Sequence, residues 1–304
     1  IIILDEFHRC GAEIWGKGVE GLLNNNKKSL IFGTTATPIR TLDKGRDISD
    51  ELFDGYIANN ISLPQAIVQS ILPSPKYITA LYNIDEEVTN LSNKITESKN
   101  TDKDKSKYLE QIKDSKIDWE KTKGIPKILK KNIKPSNKAQ KYVVFTSDIE
   151  QLSEMELDVQ KWFLKAFGSK YKREIFRVTS HDSSKKENEE ILHQFKNASN
   201  DKTIYLMFCI DMLNEGIHIS DVDGVILLRK TASDRIFLQQ IGRCLQVGSK
   251  SNNPLIFDLV NNFKSLKSYD FKNSLDTAGK RYNEQRKKSG LDKKEFSVDI
   301  IDEN

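Results

Sequence analysis

Residues 1–15 read IIILDEFHRCGAEIW, in which four aliphatic residues run without a break into two adjacent acids. An unbroken apolar run of this kind predicts a strand buried on both faces, as strands of parallel sheets are. Ligands bind such sheets at the carboxyl ends of the strands, which is where Asp5 and Glu6 would lie. Acids also end strands for purely structural reasons, so this stretch alone leaves both interpretations open.

The same alternation of apolar runs and helical patterns extends along most of the chain. SLIFG (29–33) predicts a second strand, and ISLPQAIVQSIL (61–72) a helix closed by Pro73 and Pro75. Between residues 139 and 262 the predicted strands are KYVVFTS, IFRVTS, TIYLMFCI, DGVILLR and PLIFDLV, and the predicted helices are Ile149–Phe167, KKENEEILHQF and FLQQIGRCLQ. Strands and helices that alternate in this way predict a doubly wound α/β fold with parallel sheets.

Composition divides the chain into four predicted parts. They are a first α/β domain (1–83), a helical connector (84–138), a second α/β domain (139–265) and a polar, helix-leaning tail (266–304). Residues 94–141, which span most of the connector, hold fifteen lysines, seven acids and no arginine. Such a segment is either a solvated helical face or a surface for polyanions, and its middle is equally consistent with a charged linker.

Bulk properties exclude several classes of protein. No apolar run approaches the length of a membrane span and no signal-peptide pattern is present, so a cytoplasmic location without membrane contact is expected. The three cysteines show no C-x-x-C spacing, which predicts reduced thiols rather than a zinc site. The net charge of +4 does not by itself indicate nucleic acid.

Several short motifs, taken in order, resemble the motor core of superfamily 2 helicases and translocases. DEFH resembles the Walker B or DExH motif, TTATP resembles motif III, LNEGIHI motif V and QQIGRCLQ motif VI, while KYVVFTS lies where motif IV would be. The surroundings DEFHRCGAEIW, LFDGYIANNISLPQAI and NEGIHISDVDGVILLRK are most similar to the branch of DEAD/DEAH-like proteins that contains the R subunits of type I and III restriction enzymes. Each motif is short, and the order and spacing carry the resemblance.

The resemblance implies a fold and an activity. The fold would be two RecA-like parallel-sheet domains, the first incomplete, joined by the helical connector. The activity would be ATP-dependent movement on nucleic acid, with ATP and Mg²⁺ as cofactors and duplex DNA as the expected partner. A restriction-type or mobile-element system, with further subunits, is the implied setting.

In the first domain the resemblance assigns roles to five residues. Asp5 would hold Mg²⁺ through water, and Glu6 would orient and activate the hydrolytic water. His8 would connect the nucleotide state to motif VI through Gln239. Thr35 and Thr37 would couple hydrolysis to domain movement. A structural histidine at a strand end, and a simple turn at Pro38, remain the alternatives.

In the second domain the resemblance points to nucleotide and nucleic-acid contacts. Arg243 would place positive charge on the transferred phosphoryl group, and Gly216 and His218 would contact the nucleotide. The family usually has a second arginine where this chain has Gln246, which casts doubt on a two-arginine clamp. Hydroxyls and acids at strand ends are candidates for the nucleic-acid backbone, although Ser and Thr there also serve as helix N-caps; they are Thr146, Ser147, Thr179, Ser180 and Asp211.

The sequence contains no G-x-x-x-x-G-K-[ST] phosphate loop, which the family has upstream of the acidic strand. The chain is therefore expected to be the C-terminal part of a longer motor protein and to be inactive alone. Two other functions stay open. A non-catalytic binding module that keeps the motor fold is favoured by Gln246. A metal-dependent hydrolase or nuclease site at Asp5, Glu6 and His8 leaves the later motifs unexplained.

Overall fold

The structure is a computed structural model, in which the chain forms two compact units, Ile1–Ser62 and Leu63–Asn304. It describes residues 1–35, 39–40, 46–81, 92–98, 101, 104–112, 124–179, 184–210, 221–231, 234–242, 244–245, 253–262, 271–296 and 299–303. None of the helices within these ranges is long and apolar enough to cross a membrane.

Unit 1 is built around two parallel strands. Its elements are β1 (Ile2–Asp5), a 3-10 helix (Phe7–Gly11), α1 (Glu13–Asn25), β2 (Ile31–Thr34), the short antiparallel pair β3 (Ile39–Arg40) and β4 (Arg46–Asp47), and α2 (Ile48–Phe53). β1 pairs with β2 so that Asp5 is opposite Thr34. A small core of Leu4, Phe7, Val19 and Ile48 packs beneath the pair. The two strands therefore end side by side.

Unit 2 contains a seven-stranded sheet in which every pair of neighbouring strands is parallel. Its strands are β5 (Lys76–Thr79), β6 (Gln140–Phe145), β7 (Lys172–Val178), β8 (Thr203–Cys209), β9 (Gly224–Leu227), β10 (Leu255–Asp258) and β11 (Asp299–Asp302), in the spatial order β11-β5-β10-β9-β6-β8-β7. Its helices are α3 (Leu63–Val68), α4 (92–97), α5 (104–112), α6 (Ile125–Asn132), α7 (Ile149–Phe167), α8 (Lys185–Asn197), α9 (Asp234–Gly242) and α10 (Phe271–Lys288).

Both faces of this sheet are covered. Along β6, Val143 and Phe145 belong to one apolar cluster, which includes residues of α3, α8, α9 and α10. Tyr142 and Val144 belong to a second cluster, which includes residues of α6 and α7. Successive side chains of a strand point to opposite faces, so the two clusters lie on opposite sides of the sheet. This double burial explains why the strands read as unbroken apolar runs, and the α/β prediction is confirmed.

The helix ends follow ordinary capping rules. Asp148 caps α7 by accepting a hydrogen bond from the Gln151 N–H at 2.8 Å. Ser184 and Glu187 form a capping box at the start of α8. These hydrogen bonds lower the pKa of the Asp148 and Glu187 carboxyls, because they favour the charged form. α7 begins four residues after the end of β6, and α8 begins seven residues after the end of β7.

Two segments join the large sheet in places that composition did not indicate. Residues 63–81 lie in unit 2, whereas the sequence prediction placed them in the first domain; β5 pairs with β10, and Tyr77 and Ile78 are buried on opposite faces. The tail also joins the sheet, because β11 pairs with β5 and α10 buries Leu275 and Ala278. The apolar side chains that these segments bury stabilise their place in the sheet, although the overall composition of the segments is polar.

Gly224 gives a test of this packing. A Cβ on Gly224 would lie 2.4 Å from the backbone oxygen of Leu255 on the neighbouring strand, and backbone cannot move aside cheaply. Gly224→Ala should lower the free energy of unfolding by about 1–3 kcal/mol. The matched control is Gly242→Ala in α9, where a Cβ meets no described atom within 4 Å and where Ala favours the helix. Thermal unfolding should show a lower Tm for Gly224→Ala alone, and equal Tm values would contradict the packing described.

Candidate functional site

The carboxyl ends of β1 and β2 bring Asp5 next to a threonine. Because Asp5 and Thr34 are opposite in the parallel register, their side chains meet: the Thr34 hydroxyl donates to Asp5 Oδ1 at 2.6 Å. The Glu6 backbone N–H donates to the same oxygen at 3.0 Å. Oδ2 accepts no hydrogen bond from the residues that the structure describes, and the residue is exposed. One carboxylate oxygen is thus fixed while the other remains accessible.

Glu6 follows with a backbone conformation that is uncommon for its residue type. Its φ of 50° and ψ of 47° are left-handed, which costs a residue with a Cβ about 1–2 kcal/mol. The left-handed residue turns the chain from β1 directly into the 3-10 helix Phe7–Gly11. Strain of this kind is found preferentially at functional sites.

One polar atom from each of His8, Thr35 and Glu6 forms a close cluster. His8 Nδ1 lies 2.8 Å from Thr35 Oγ1 and 3.2 Å from Glu6 Oε2, and Thr35 Oγ1 lies 3.5 Å from the same Glu6 oxygen. The His8 side chain is only 4% exposed, whereas that of Glu6 is 27% exposed. A buried imidazole therefore holds one oxygen of a carboxylate that solvent can still reach.

The hydrogen bonds within the cluster depend on which nitrogen of His8 carries the proton. An ionised carboxylate only accepts, so the contact between Nδ1 and Glu6 Oε2 is a hydrogen bond when Nδ1 is protonated. With Nδ1 as donor, His8 can donate to Glu6 and to Thr35 Oγ1, and the Thr35 hydroxyl can donate to Glu6. Glu6 Oε1 accepts no hydrogen bond from described residues. This oxygen is the one available to a water molecule.

The donor set fits a magnesium ion that is held through its water shell. Magnesium usually keeps several waters and binds proteins through one or two carboxylates. Among the described residues, no group of three or more His, Cys, Asp or Glu side chains is arranged to hold a metal ion directly. Asp5, with Oδ1 fixed and Oδ2 accessible, suits contact through water and not a closed protein cage.

At the carboxyl edge of the large sheet, the predicted hydroxyls have different surroundings. Thr146 is fully buried and its hydroxyl donates to the Cys209 carbonyl at 3.4 Å. Thr179 is 4% exposed and its carbonyl accepts from the Asn188 side chain at 2.7 Å. Ser147 is exposed, with its hydroxyl 2.5 Å from Asp148 Oδ2. These placements favour structural roles for Thr146 and Thr179, and they leave Ser147 accessible to a ligand.

The first four residues of motif VI, 239–242, lie at the end of α9, where Gln239 is half-buried. Several residues that the sequence assigned to the site lie outside the described residues, so their placement is not described: Thr37, Ser180, Asp211, Gly216, His218 and Arg243. The sequence prediction also missed Thr34, although it stands in the TTATP stretch beside Thr35. Its role depends on the β1–β2 register, which no local pattern reveals.

Comparison with known proteins identifies a domain in the middle of the chain. Residues 121–248 match the helicase conserved C-terminal domain. The putative helicase 22 of Sulfolobus islandicus filamentous virus (isolate Iceland/Hveragerdi) is 24% identical over 264 residues, which is 86% of this chain and 42% of that protein.

Solved structures show the same fold. The ATP-dependent Type ISP restriction-modification enzyme LlaBIII bound to DNA is 16% identical with a TM-score of 0.52, over 99% of this chain and 21% of that one. A fragment of a putative HsdR subunit of a type I restriction enzyme from Vibrio vulnificus YJ016 is 20% identical with a TM-score of 0.50, over 83% of this chain and 44% of that one. The chain spans less than half of the length of each of these relatives.

The parallel sheet of unit 2 and the matched segment define a RecA-like helicase C-terminal domain. Residues 121–248 thus carry a helicase C-terminal domain, in agreement with the predicted resemblance to helicases.

The tautomer of His8 follows from the cluster geometry and can be measured. Neutral His8 should carry its proton on Nδ1, because Glu6 Oε2 lies 3.2 Å from that atom and can only accept. Side-chain ¹⁵N chemical shifts at neutral pH distinguish the two tautomers, and exposed His193 on α8 gives a reference signal in the same spectrum. A proton found mainly on Nε2 of His8 would contradict the arrangement.

Proposed function

We propose that the chain is part of an ATP-dependent motor that moves along nucleic acid, with duplex DNA as the substrate. The observation that carries the proposal is the cluster of Asp5, Glu6, His8 and Thr35 at adjoining strand ends, in a chain that also contains a helicase C-terminal domain. Two acids with different surroundings at one sheet edge are what nucleotide hydrolysis requires: one to hold the metal and one to accept a proton.

In this proposal Asp5 and Glu6 have different roles. Asp5 would hold Mg²⁺ through water, and the ion, when bound with ATP, would neutralise charge on the transferred phosphoryl group. Glu6 orients the attacking water and accepts its proton at Oε1, because Oε2 is occupied by His8 and Thr35. His8 prevents the Glu6 carboxylate from rotating. Thr34 does the same for Asp5.

The remaining roles rest on the sequence resemblance. Gly216 and His218 contact the nucleotide, and Arg243 places positive charge on the transferred phosphoryl group. The resemblance implies that His8 connects the nucleotide state to motif VI through Gln239 and that Thr37 couples hydrolysis to movement. Ser147, Ser180 and Asp211 contact the nucleic-acid backbone, as would Thr146 and Thr179 after a change in their present hydrogen bonds.

A restriction-type or mobile-element system is the proposed setting. Support comes from the two restriction enzymes that share the fold, and from the viral relative described as a putative helicase. One of those restriction enzymes is described as bound to DNA, which favours DNA over RNA for this chain. In such a system the motor would work together with further subunits or domains.

Glu6→Gln tests the assignment of the proton acceptor in a longer protein that contains this chain and a phosphate loop. The amide keeps the shape of the side chain but cannot accept the proton of the attacking water, so hydrolysis should be lost while ATP binding remains. Phosphate release and nucleotide affinity are measured for both proteins. The control is Glu13→Gln, an exposed acid on α1 that lies outside the cluster.

Two outcomes of that experiment oppose the proposal. Hydrolysis at the wild-type rate in Glu6→Gln would remove Glu6 as the base. A wild-type protein that binds DNA but releases no phosphate would favour the non-catalytic binding module, which the neutral Gln246 already suggests. The 304-residue chain alone, without a phosphate loop, should release no phosphate with or without DNA.

The basic connector provides the proposed unspecific contact with DNA. On α6, Ile125, Ile128 and Leu129 are buried in the sheet's second cluster, which turns the lysines of that helix outward. The exposed lysines in and after α6 are Lys127, Lys130, Lys131, Lys134 and Lys138. Lys131 binds Glu303 at 2.7 Å, and the proposal rests on Lys130, Lys134 and Lys138; Lys121 and Lys123 lie outside the described residues.

A salt titration separates contact from a merely solvated face. Changing Lys130, Lys134 and Lys138 to Gln should weaken binding to all DNA sequences alike and reduce the slope of log K against log salt by about one unit for each lost contact. The matched control changes Lys280, Lys287 and Lys288 to Gln on α10, which packs on the opposite face of the sheet. Equal slopes for wild type and the α6 variant would exclude this surface, and equal losses in both variants would indicate only long-range attraction.

A further inference from the structure

A fully buried carboxylate lies at the end of β10. Asp258 has no exposed surface and stands opposite Thr79 of β5 and Leu227 of β9 at the carboxyl edge of the sheet. A buried charge is very costly unless hydrogen bonds compensate it. Here the Tyr77 hydroxyl donates to Oδ2 at 2.9 Å, and the Asn262 backbone N–H donates to Oδ1 at 3.0 Å.

The tyrosine is held in its donor form by its surroundings. Burial, together with the charge of Asp258 and the hydrogen bond between them, raises the pKa of the Tyr77 hydroxyl well above its usual value. The hydroxyl therefore keeps its proton at every physiological pH. Asp258 thus ties β5 to the segment that follows β10.

Asn262 continues the network with its side chain. Its Oδ1 accepts a hydrogen bond from the Thr231 N–H at 2.9 Å, and its Nδ2 donates to the Arg229 carbonyl at 3.0 Å. The residue is completely buried. Only an amide side chain supplies an acceptor and a donor at this spacing, so neither a carboxylate nor an apolar residue could make both hydrogen bonds.

The segment that Asn262 holds leads into the helix of motif VI. Thr231 is three residues before Asp234, where α9 begins. The apolar side of α9 is fixed by buried Phe237 and Ile241, but apolar contacts are non-directional and tolerate sliding. The two directional hydrogen bonds of Asn262 set the point from which the helix starts.

We propose that Asn262, held in place by Asp258, is a positioning residue that fixes the start of α9 and with it the placement of Gln239. The effect of this positioning on ATP hydrolysis rests on the proposed function, whereas the effect on α9 itself does not. No family motif identified in the sequence includes Tyr77, Asp258 or Asn262.

Amide hydrogen exchange in the 304-residue chain tests the positioning directly. In Asn262→Ala, the amides of residues 236–242 should exchange about tenfold faster or more, as expected for the loss of one or two buried hydrogen bonds. The amides of β6 and β8 should keep their protection. The control is Asn188→Ala on α8, which removes another buried asparagine that donates to a backbone carbonyl, here that of Thr179.

The outcomes separate positioning from general destabilisation. Unchanged exchange of α9 in Asn262→Ala, or the same increase in both variants, would overturn the proposal. If Asn262→Ala does not fold, Tyr77→Phe replaces it: this variant keeps the ring, removes one donor to Asp258, and should loosen α9 in the same place to a smaller extent. If the α9 amides of Tyr77→Phe exchange as slowly as those of wild type, that result would overturn the proposal.

Kinetics in a longer protein that contains this chain and a phosphate loop test the link to catalysis. Displacement of a group at the site by about 1 Å can cost much of the rate, so Asn262→Ala should lower kcat about tenfold or more while KM for ATP changes little. A loosened α9 with unchanged kcat would reject that link. A loosened α9 in a protein whose wild type hydrolyses no ATP would reject the proposed function and leave the positioning role standing.

Discussion

Parallel pairing in fixed register is the constraint on which the other features of this protein depend. Parallel strands end at the same edge, so residues far apart in sequence become neighbours there without any local signal. In unit 1 this pairing places Thr34 beside Asp5 and Thr35 beside His8. In unit 2 it places Asp258 between the ends of β5 and β9. A shift of one residue in either register would separate these groups and turn each strand's side chains to the other face.

The two acidic sites show how burial gives the same residue type different uses. Asp5 and Glu6 each keep one oxygen in a hydrogen-bonded cluster and one oxygen accessible, which suits groups that exchange water or protons. Asp258 has both oxygens occupied by protein donors and no exposed surface, which suits a fixed anchor. Accessibility of the second oxygen therefore separates a chemical role from a structural one more clearly than the residue type does.

Much of the fold could be predicted from the sequence, because strands buried on both faces leave an unmistakable apolar pattern. The predicted helix Ile149–Phe167 coincides with α7, and the five strands predicted between residues 139 and 262 are all present. β5 and β11 were not foreseen, since KYIT and DIID are only four residues long and each contains two polar residues. Their strand state depends on pairing with distant strands rather than on local pattern.

The candidate site could be predicted in part for similar reasons. Asp5, Glu6, His8 and Thr35 were identified because a recognisable motif order drew attention to them, and the structure brings them together. Thr146 and Thr179 looked like ligand contacts because they follow strands, but their burial depends on packing that no motif specifies. Asn262 escaped notice because an asparagine after a strand ordinarily indicates a solvent-facing turn.

The place of β5 in the large sheet changes what the connector is. Both ends of the connector region belong to one sheet: β5 precedes it, and β6 follows α6 in the same unit. The connector is therefore an excursion from unit 2 that returns to it, and the chain passes between the units near Ser62 and Leu63. Loop-closure entropy grows only slowly with length, so a change in the length of this excursion costs little free energy and leaves the pairing of β5 with β10 intact. Residues 82–123 are therefore a position at which the chain tolerates insertions or deletions without a change in the sheet.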